Sequence, residues 1–237
     1  MPEKIKQSTQ SPGTQKTSRA LCAERKDSMN NKNWQSDNLC IITGRIKDRQ
    51  ILDPLEGQKE GDICLLVETA LPSGKKTTIP CVLSREDLPY VFGQLNIGAW
   101  CHAHGVLTGS EDSKSGRPVR WVELTSARQL RGKKRHRYEN RALLSGTMEE
   151  GGCLFDHGKP IAADFLLRTE NPCFDEPLEV DAFVPEKAVR QFIACVGNGA
   201  IRANGALEFF LPEESGKCEL GCLFHVHQME LLGGEEK

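Results

Sequence analysis

The segment DNLCIITGRI at positions 37–46 returns 102 positions later as ENRALLSGTM at 139–148. Each version sets an Asn, Asn38 or Asn140, before an apolar run, then a hydroxyl residue and a glycine, Thr43-Gly44 or Ser145-Gly146. Other landmarks keep the interval: ICLLVET at 63–69 is answered by ADFLLRT at 163–169, and Gly98 with Gly105 by Gly199 with Gly205. The spacing drifts only between 100 and 102, as short loop insertions would make it. A fixed interval across so many features means a tandem duplication. One architecture must therefore serve both halves, each of roughly 100 residues and so large enough to bury a core of its own.

Within each half, short apolar runs alternate with turn signals, the pattern of an all-β domain. Strands are expected at 39–46, 62–70, 76–83, 99–107 and 119–126, and again at 141–148, 161–169, 177–184, 200–211 and 220–230. Ser73-Gly74 turns one hairpin, and GSEDSKSGRP makes a longer polar loop before the fifth strand. A helix belongs between the third and fourth strands of each half. In the first, Asp87 caps it with Pro89 in the opening turn; in the second, Val189, Phe192, Ile193 and Val196 share a face and Gly197 ends it. This element order is that of an OB-fold barrel, whereas a sandwich needs more strands than each half holds. The chain is thus expected to be all-β, two tandem OB-fold barrels of five strands and one short helix each, at 38–130 and 139–232. Residues 131–138 form a basic linker and 233–237 a tail, while 1–37, polar and without period, read as a disordered arm.

No apolar segment approaches the roughly 18 residues a spanning helix needs, and the N-terminus has no apolar signal core, so the expected place is the cytoplasm. The ten cysteines are then expected as reduced thiols. Cys40, Cys64, Cys81, Cys101 and Cys195 lie in apolar runs and read as small buried hydrophobes. The sequence has no Walker loop, nucleophile elbow or His-Glu-x-x-His, and no Cys/His pair is singled out, so neither catalysis nor a cofactor is expected. CELGCLFHVH places Cys218, Cys222, His225 and His227 close together, but without the two separated pairs of a structural zinc site no metal is expected there.

NRALLSGTM at 140–148 and HQMELL at 227–232 resemble the opening and closing strands of PriB, the primosomal replication protein N of bacteria. In the first half, LCIITGRI, TIPCVLS and IGAWCHAHGVL are similar to that family or to the bacterial single-stranded DNA-binding protein SSB. The resemblance implies an OB-fold that binds single-stranded DNA in replication, restart or repair, beside replication proteins such as a helicase or another primosome component. These families work as homo-oligomers of one OB-fold, PriB as a dimer. A chain with two copies is therefore expected to build the dimer-like platform alone, as a monomer or as the protomer of a homo-oligomer.

Single strands are held by a cationic groove and by rings on which bases stack. Period-2 alternation in AWCHAHG turns Cys101 and Ala103 one way and Trp100, His102 and His104 the other. In VRWVEL it turns Val122 and Leu124 inward and Trp121 outward, beside Arg117 and Arg120. Trp121 is the better stacking candidate, because Trp100 has packing against the partner domain as its alternative. Arg45, Lys47 and Arg49 are expected to point to one side of the first strand, and Lys75 and Lys76 edge the hairpin between the second and third. The strongest electrostatic feature is RGKKRHRYE at 131–139, whose Lys133, Lys134, Arg135, Arg137 and Tyr138 read as phosphate and base contacts or, more plainly, as part of a solubilising linker.

A net charge of −2 conceals an asymmetry. Residues 38–130 hold 11 basic and 11 acidic side chains, the linker five basic and no acidic ones, and 139–237 hold 8 basic against 18 acidic. An acidic copy without Trp repels phosphate, so the second barrel is expected to act as a dimer mimic or as a docking surface for a basic protein, with several of its phenylalanines filling the core. The rival reading is an OB-fold adaptor that works by protein contact. RNA in place of DNA stays open, since nothing in the sequence reads a 2′-hydroxyl.

Overall fold

The computed structural model describes residues 37–52, 61–84, 91, 93–111, 118–132, 135–210 and 221–232. In its first half, β1 (Asn38–Ile51) pairs antiparallel with β2 (Ile63–Ala70) and with β4 (Trp100–Glu111). β2 continues to β3 (Lys76–Leu83) and β4 to β5 (Pro118–Leu130), and a short parallel pairing of Cys81 with Val122 joins β3 to β5. These five strands close a ring. The second half repeats it with β6 (Glu139–Asp156), β7 (Lys159–Thr169), β8 (Leu178–Pro185), β9 (Ala200–Phe210) and β10 (Gly221–Leu231), the parallel joint lying between β8 and β10. Each ring has the strand order of an OB-fold barrel. The only described helix, α1 (Glu186–Cys195), stands between β8 and β9. The helix expected around Asp87 and Pro89, like the arm before Asp37, falls outside the described residues.

Strand parity builds both cores. In β2 the buried positions alternate as Ile63, Leu65, Val67 and Thr69, and in β8 as Leu178, Val180, Ala182 and Val184. The duplicated opening phrase has a structural meaning in each ring. Asn38 accepts a bond from the Leu107 amide and donates one to its carbonyl, both at 2.8 Å, and Asn140 does the same to Leu207 at 3.0 and 2.7 Å. Each Asn thus completes the ladder where the strands diverge. The Thr69 hydroxyl donates to the Thr43 carbonyl at 3.1 Å, and Thr169 to that of Ser145 at 2.6 Å. A Cβ at Gly44 would fall on the Glu68 carbonyl oxygen, and one at Gly146 on that of Arg168, so the close strand crossing admits only glycine.

The two rings share one sheet, because β1 pairs antiparallel with β6, Asn38 opposite Leu144 and Ile41 opposite Arg141. Side chains clamp both flanks of that seam. The Thr77 hydroxyl accepts from the Phe209 amide at 3.0 Å and donates to its carbonyl at 3.1 Å. On the other flank, buried Asn171 donates to the Gly109 carbonyl at 2.8 Å and accepts from the Thr108 hydroxyl at 2.7 Å. Asp37 pairs with Arg202 at 2.5 Å.

Three expectations change. β6 runs to Asp156 rather than stopping near 148, and a turn at His157-Gly158, with φ of 47° and 78°, returns it as β7. α1 buries Ala188, Val189, Phe192 and Cys195, while Ile193 and Val196 are about half exposed. The helix presents its small residues to the barrel so that Phe192 can stack on Phe165, with ring centres 5.7 Å apart. Finally, β1 carries a bulge at Lys47: Ile46 faces Val67, but Asp48 faces Leu66. The extra residue reverses parity beyond it, so Arg49 pairs with buried Leu65 and leaves the side occupied by Arg45 and Lys47. Cys40, Cys81, Cys101 and Cys195 behave as buried fillers: burial pushes the Cys40 thiol up to about 12 and that of Cys101 to about 11, whereas Cys64 is only half-buried.

Candidate nucleic-acid interface

Arg45 on β1 stands opposite both Glu68 on β2 and Trp100 on β4, so the three share a row on the outer face of the first barrel. The linker crosses this row. Tyr138 lies against Trp100 with ring centres 4.8 Å apart, and His136 lies 5.6 Å from it. The Tyr138 hydroxyl donates to Glu68 Oε1 at 2.8 Å, and Lys76 Nζ bonds the same oxygen at 2.9 Å while standing 5.6 Å from the Tyr138 ring centre. Lys47 reaches the other oxygen, Oε2, at 3.4 Å. Arg45 donates to the Gly98 carbonyl at 3.1 Å. Three expected contacts, Lys47, Lys76 and Tyr138, are thus gathered around one carboxylate, with Arg45 and Trp100 in the same row. The bonds from Lys76 and Tyr138 to Glu68 hold its carboxyl at about 2, below the usual range. Arg135 and Arg137 are exposed on the linker beside this cluster, whereas Lys133 and Lys134 fall outside the described residues.

One row further along β4, His102 faces Thr43, and its Nδ1 lies 2.8 Å from the Thr43 hydroxyl, which donates to Glu139 Oε2 at 3.3 Å. Its Nε2 is 3.0 Å from Nε2 of His104. Arg128 on β5 stands opposite His102. Burial first, then the neighbouring His104, lowers the His102 pKa.

Trp121 does not join the ring cluster. It pairs with Thr108, whereas Trp100 pairs with Leu130, so eight β4 positions, about 27 Å, separate them. Trp121 instead meets Phe174 edge-on at 6.1 Å and donates from Nε1 to Glu123 at 3.2 Å. Its neighbour Arg120 bonds the Glu179 carbonyl across the barrels at 3.2 and 3.1 Å, and burial lowers its pKa. Arg120 is a clamp between the barrels. Lys75 likewise pairs with Glu208 of the second barrel, and Arg49 reaches the Leu95 carbonyl at 3.5 Å. Arg117 falls outside the described residues. The expected contacts therefore fall into two groups, with the cations and rings concentrated at the Trp100 end.

Sequence reasoning missed Glu68, the acid at the centre of the cluster, and Arg128, which shares the parity of inward Val122 and Leu124 and is turned outward only by the bulge at Thr125. In the second barrel several phenylalanines fill the core, as expected, and others lie at the surface. Phe155, Phe183 and Phe210 are 59%, 36% and 50% exposed, while Phe165, Phe192, Phe209 and Phe224 are buried. For Phe183 the signal was present, since Val180, Ala182 and Val184 alternate inward around it.

No family model matches the chain, and no curated protein matches it. Among solved structures it is similar to the wild-type single-stranded DNA binding protein from Thermus aquaticus, with a TM-score of 0.61 and 12% identity over 86% of this chain and 97% of that one. A deletion mutant of the same protein aligns over 85% and 97% at a TM-score of 0.59 and 12% identity. The N-terminal domain of PriB from Thermoanaerobacter tencongensis aligns with 40% of this chain and 98% of its own length, at 16% identity and a TM-score of 0.33. The likeness to the Thermus protein at 12% identity establishes a shared fold.

Proposed function

We propose that this chain binds single-stranded DNA, with the first barrel and the linker as the contact surface and the second barrel completing a dimer-like pair within one chain. The observation that carries the reading is the cluster in which Trp100, Tyr138 and His136 lie ring to ring beside Arg45, Lys47 and Lys76. Rings supply sequence-tolerant stacking and the cations track phosphates, the two components single-strand binding requires. The fold shared with a protein described as a single-stranded DNA binding protein supports the same reading. A place in replication, restart or repair, beside a helicase or primosome component, is part of this proposal.

The test is a fluorescence titration of the full chain against oligo-dT at two ionic strengths. Affinity is expected to fall steeply with salt, because phosphate contacts release counterions. Trp100→Ala should weaken binding by about 1–3 kcal/mol, the range for one lost base stack. Trp121→Ala, remote from the cluster, should cost less. Absence of salt-dependent binding would favour the adaptor reading, in which these surfaces serve protein contact.

A further inference from the structure

Period 2 puts His102 and His104 on the same face of β4, and their Nε2 atoms lie 3.0 Å apart, closer than two imidazoles approach without something shared between them. In the protein alone that something is one proton. The same spacing also suits a metal ion. Two imidazole nitrogens at about 2.0–2.1 Å from one ion lie roughly 3.0 Å apart at a right angle and roughly 3.4 Å apart at a tetrahedral angle. The right-angle case is the tetragonal geometry of Cu(II) and Ni(II).

The surroundings prepare one of the two nitrogens. The Thr43 hydroxyl donates to Glu139, so it accepts from His102 Nδ1–H at 2.8 Å. That assignment leaves the His102 Nε2 lone pair facing His104. A ligating histidine usually has its other nitrogen held in this way, which fixes the tautomer and the ring orientation. Among the described residues no third His, Cys, Asp or Glu joins the pair, so an ion held there keeps its remaining positions for water or an incoming anion. Arg128, opposite His102, adds a cation beside the site and favours an anion as that further ligand.

We propose that His102 and His104 form a chelating pair for a divalent transition-metal ion of the Ni(II) or Cu(II) class, with Thr43 as the positioning residue. The site is separate from the zinc-like CELGCLFHVH segment, where Cys222 is buried and His225 bonds Glu208 at 2.7 Å. It is also independent of whether the chain binds DNA.

The test is calorimetric titration of the full chain with NiCl2 in a non-coordinating buffer, followed by electron paramagnetic resonance after adding one equivalent of CuCl2. Uptake of one ion per chain is expected, with a copper spectrum showing two imidazole nitrogens. His102→Gln and His104→Gln should each weaken uptake at least tenfold, whereas His157→Gln and His227→Gln should not. Thr43→Val should weaken it about tenfold and broaden the copper signal, an effect that loss of fold would not produce. Copper should also quench Trp100, two residues along the strand and about 7 Å away, and Trp100→Phe should lose the quench while keeping the ion. Thermal unfolding of each variant confirms that it is folded. Uptake unchanged in the folded His102→Gln/His104→Gln double variant, or no saturable uptake by the wild type, overturns the proposal.

Discussion

Glu68 occupies the position where a phosphate would be expected: Lys47, Lys76 and the Tyr138 hydroxyl all turn to its carboxylate. If the chain binds DNA as proposed, Glu68 competes with the strand for those groups. Glu68→Gln should tighten oligo-dT binding severalfold and steepen its salt dependence, since up to two freed cations would add to a slope of about 0.7 per phosphate contacted. A titration of both proteins across salt concentration checks this. The same carboxylate gives a pH signature. Its folded value of about 2 lies below the usual 4.5, so its contribution to stability is present above 4.5 and is lost as pH falls towards 2. Melting curves should show wild type ahead of Glu68→Gln at pH 6 and the gap closing through that window. Asn140 provides a purely structural counterpart. Asn140→Ala leaves the Leu207 amide and carbonyl without the bonds they make now, which should cost about 3 kcal/mol in denaturant unfolding, with each buried unpaired group worth roughly 1–3.

At the level of elements, α1 tests which face of the helix matters. Phe192→Ala should destabilise the protein by about 3–5 kcal/mol, as loss of a buried aromatic does, while Ile193→Ala should stay within about 0.5 kcal/mol. Both are measurable by chemical denaturation. Apolar spacing alone placed Ile193 with Phe192, because it cannot weigh which side the strands approach most closely. Most strands were legible as short apolar runs between turn signals, whereas the alternation of burial from Ile63 to Thr69 and from Leu178 to Val184 is set by the half-buried sheet rather than by strict alternation in the sequence. The extension of β6 through EEGGCLFD was not legible, since those residues are largely exposed and owe their conformation to pairing with β7. The bulge at Lys47 was equally silent in the sequence, yet it alone removes Arg49 from the candidate site. The linker rings could be named, but their seat on Trp100 depends on where the chain crosses β1, which local sequence does not encode.

At the scale of the molecule, the seam between β1 and β6 is reinforced by Thr77 with Phe209, Asn171 with Thr108 and Gly109, and Arg120 with Glu179. Barrels tied by a shared ladder and buried bonds should melt together. Calorimetry is expected to show one transition whose van't Hoff and calorimetric enthalpies agree, and Asn171→Ala should broaden or split it. The pairing has a further consequence. When two identical chains associate about an axis, every substitution is made on both sides at once, and neither side can specialise. Here the counterparts sit in a single reading frame, and they have parted: where the first barrel sets Cys64 beside Val82 and Leu66 beside Pro80, the second sets Asp164 beside Phe183 and Leu166 beside Asp181. With both barrels in one chain, a substitution alters one face and leaves its counterpart as it was, so the molecule can carry two unlike faces.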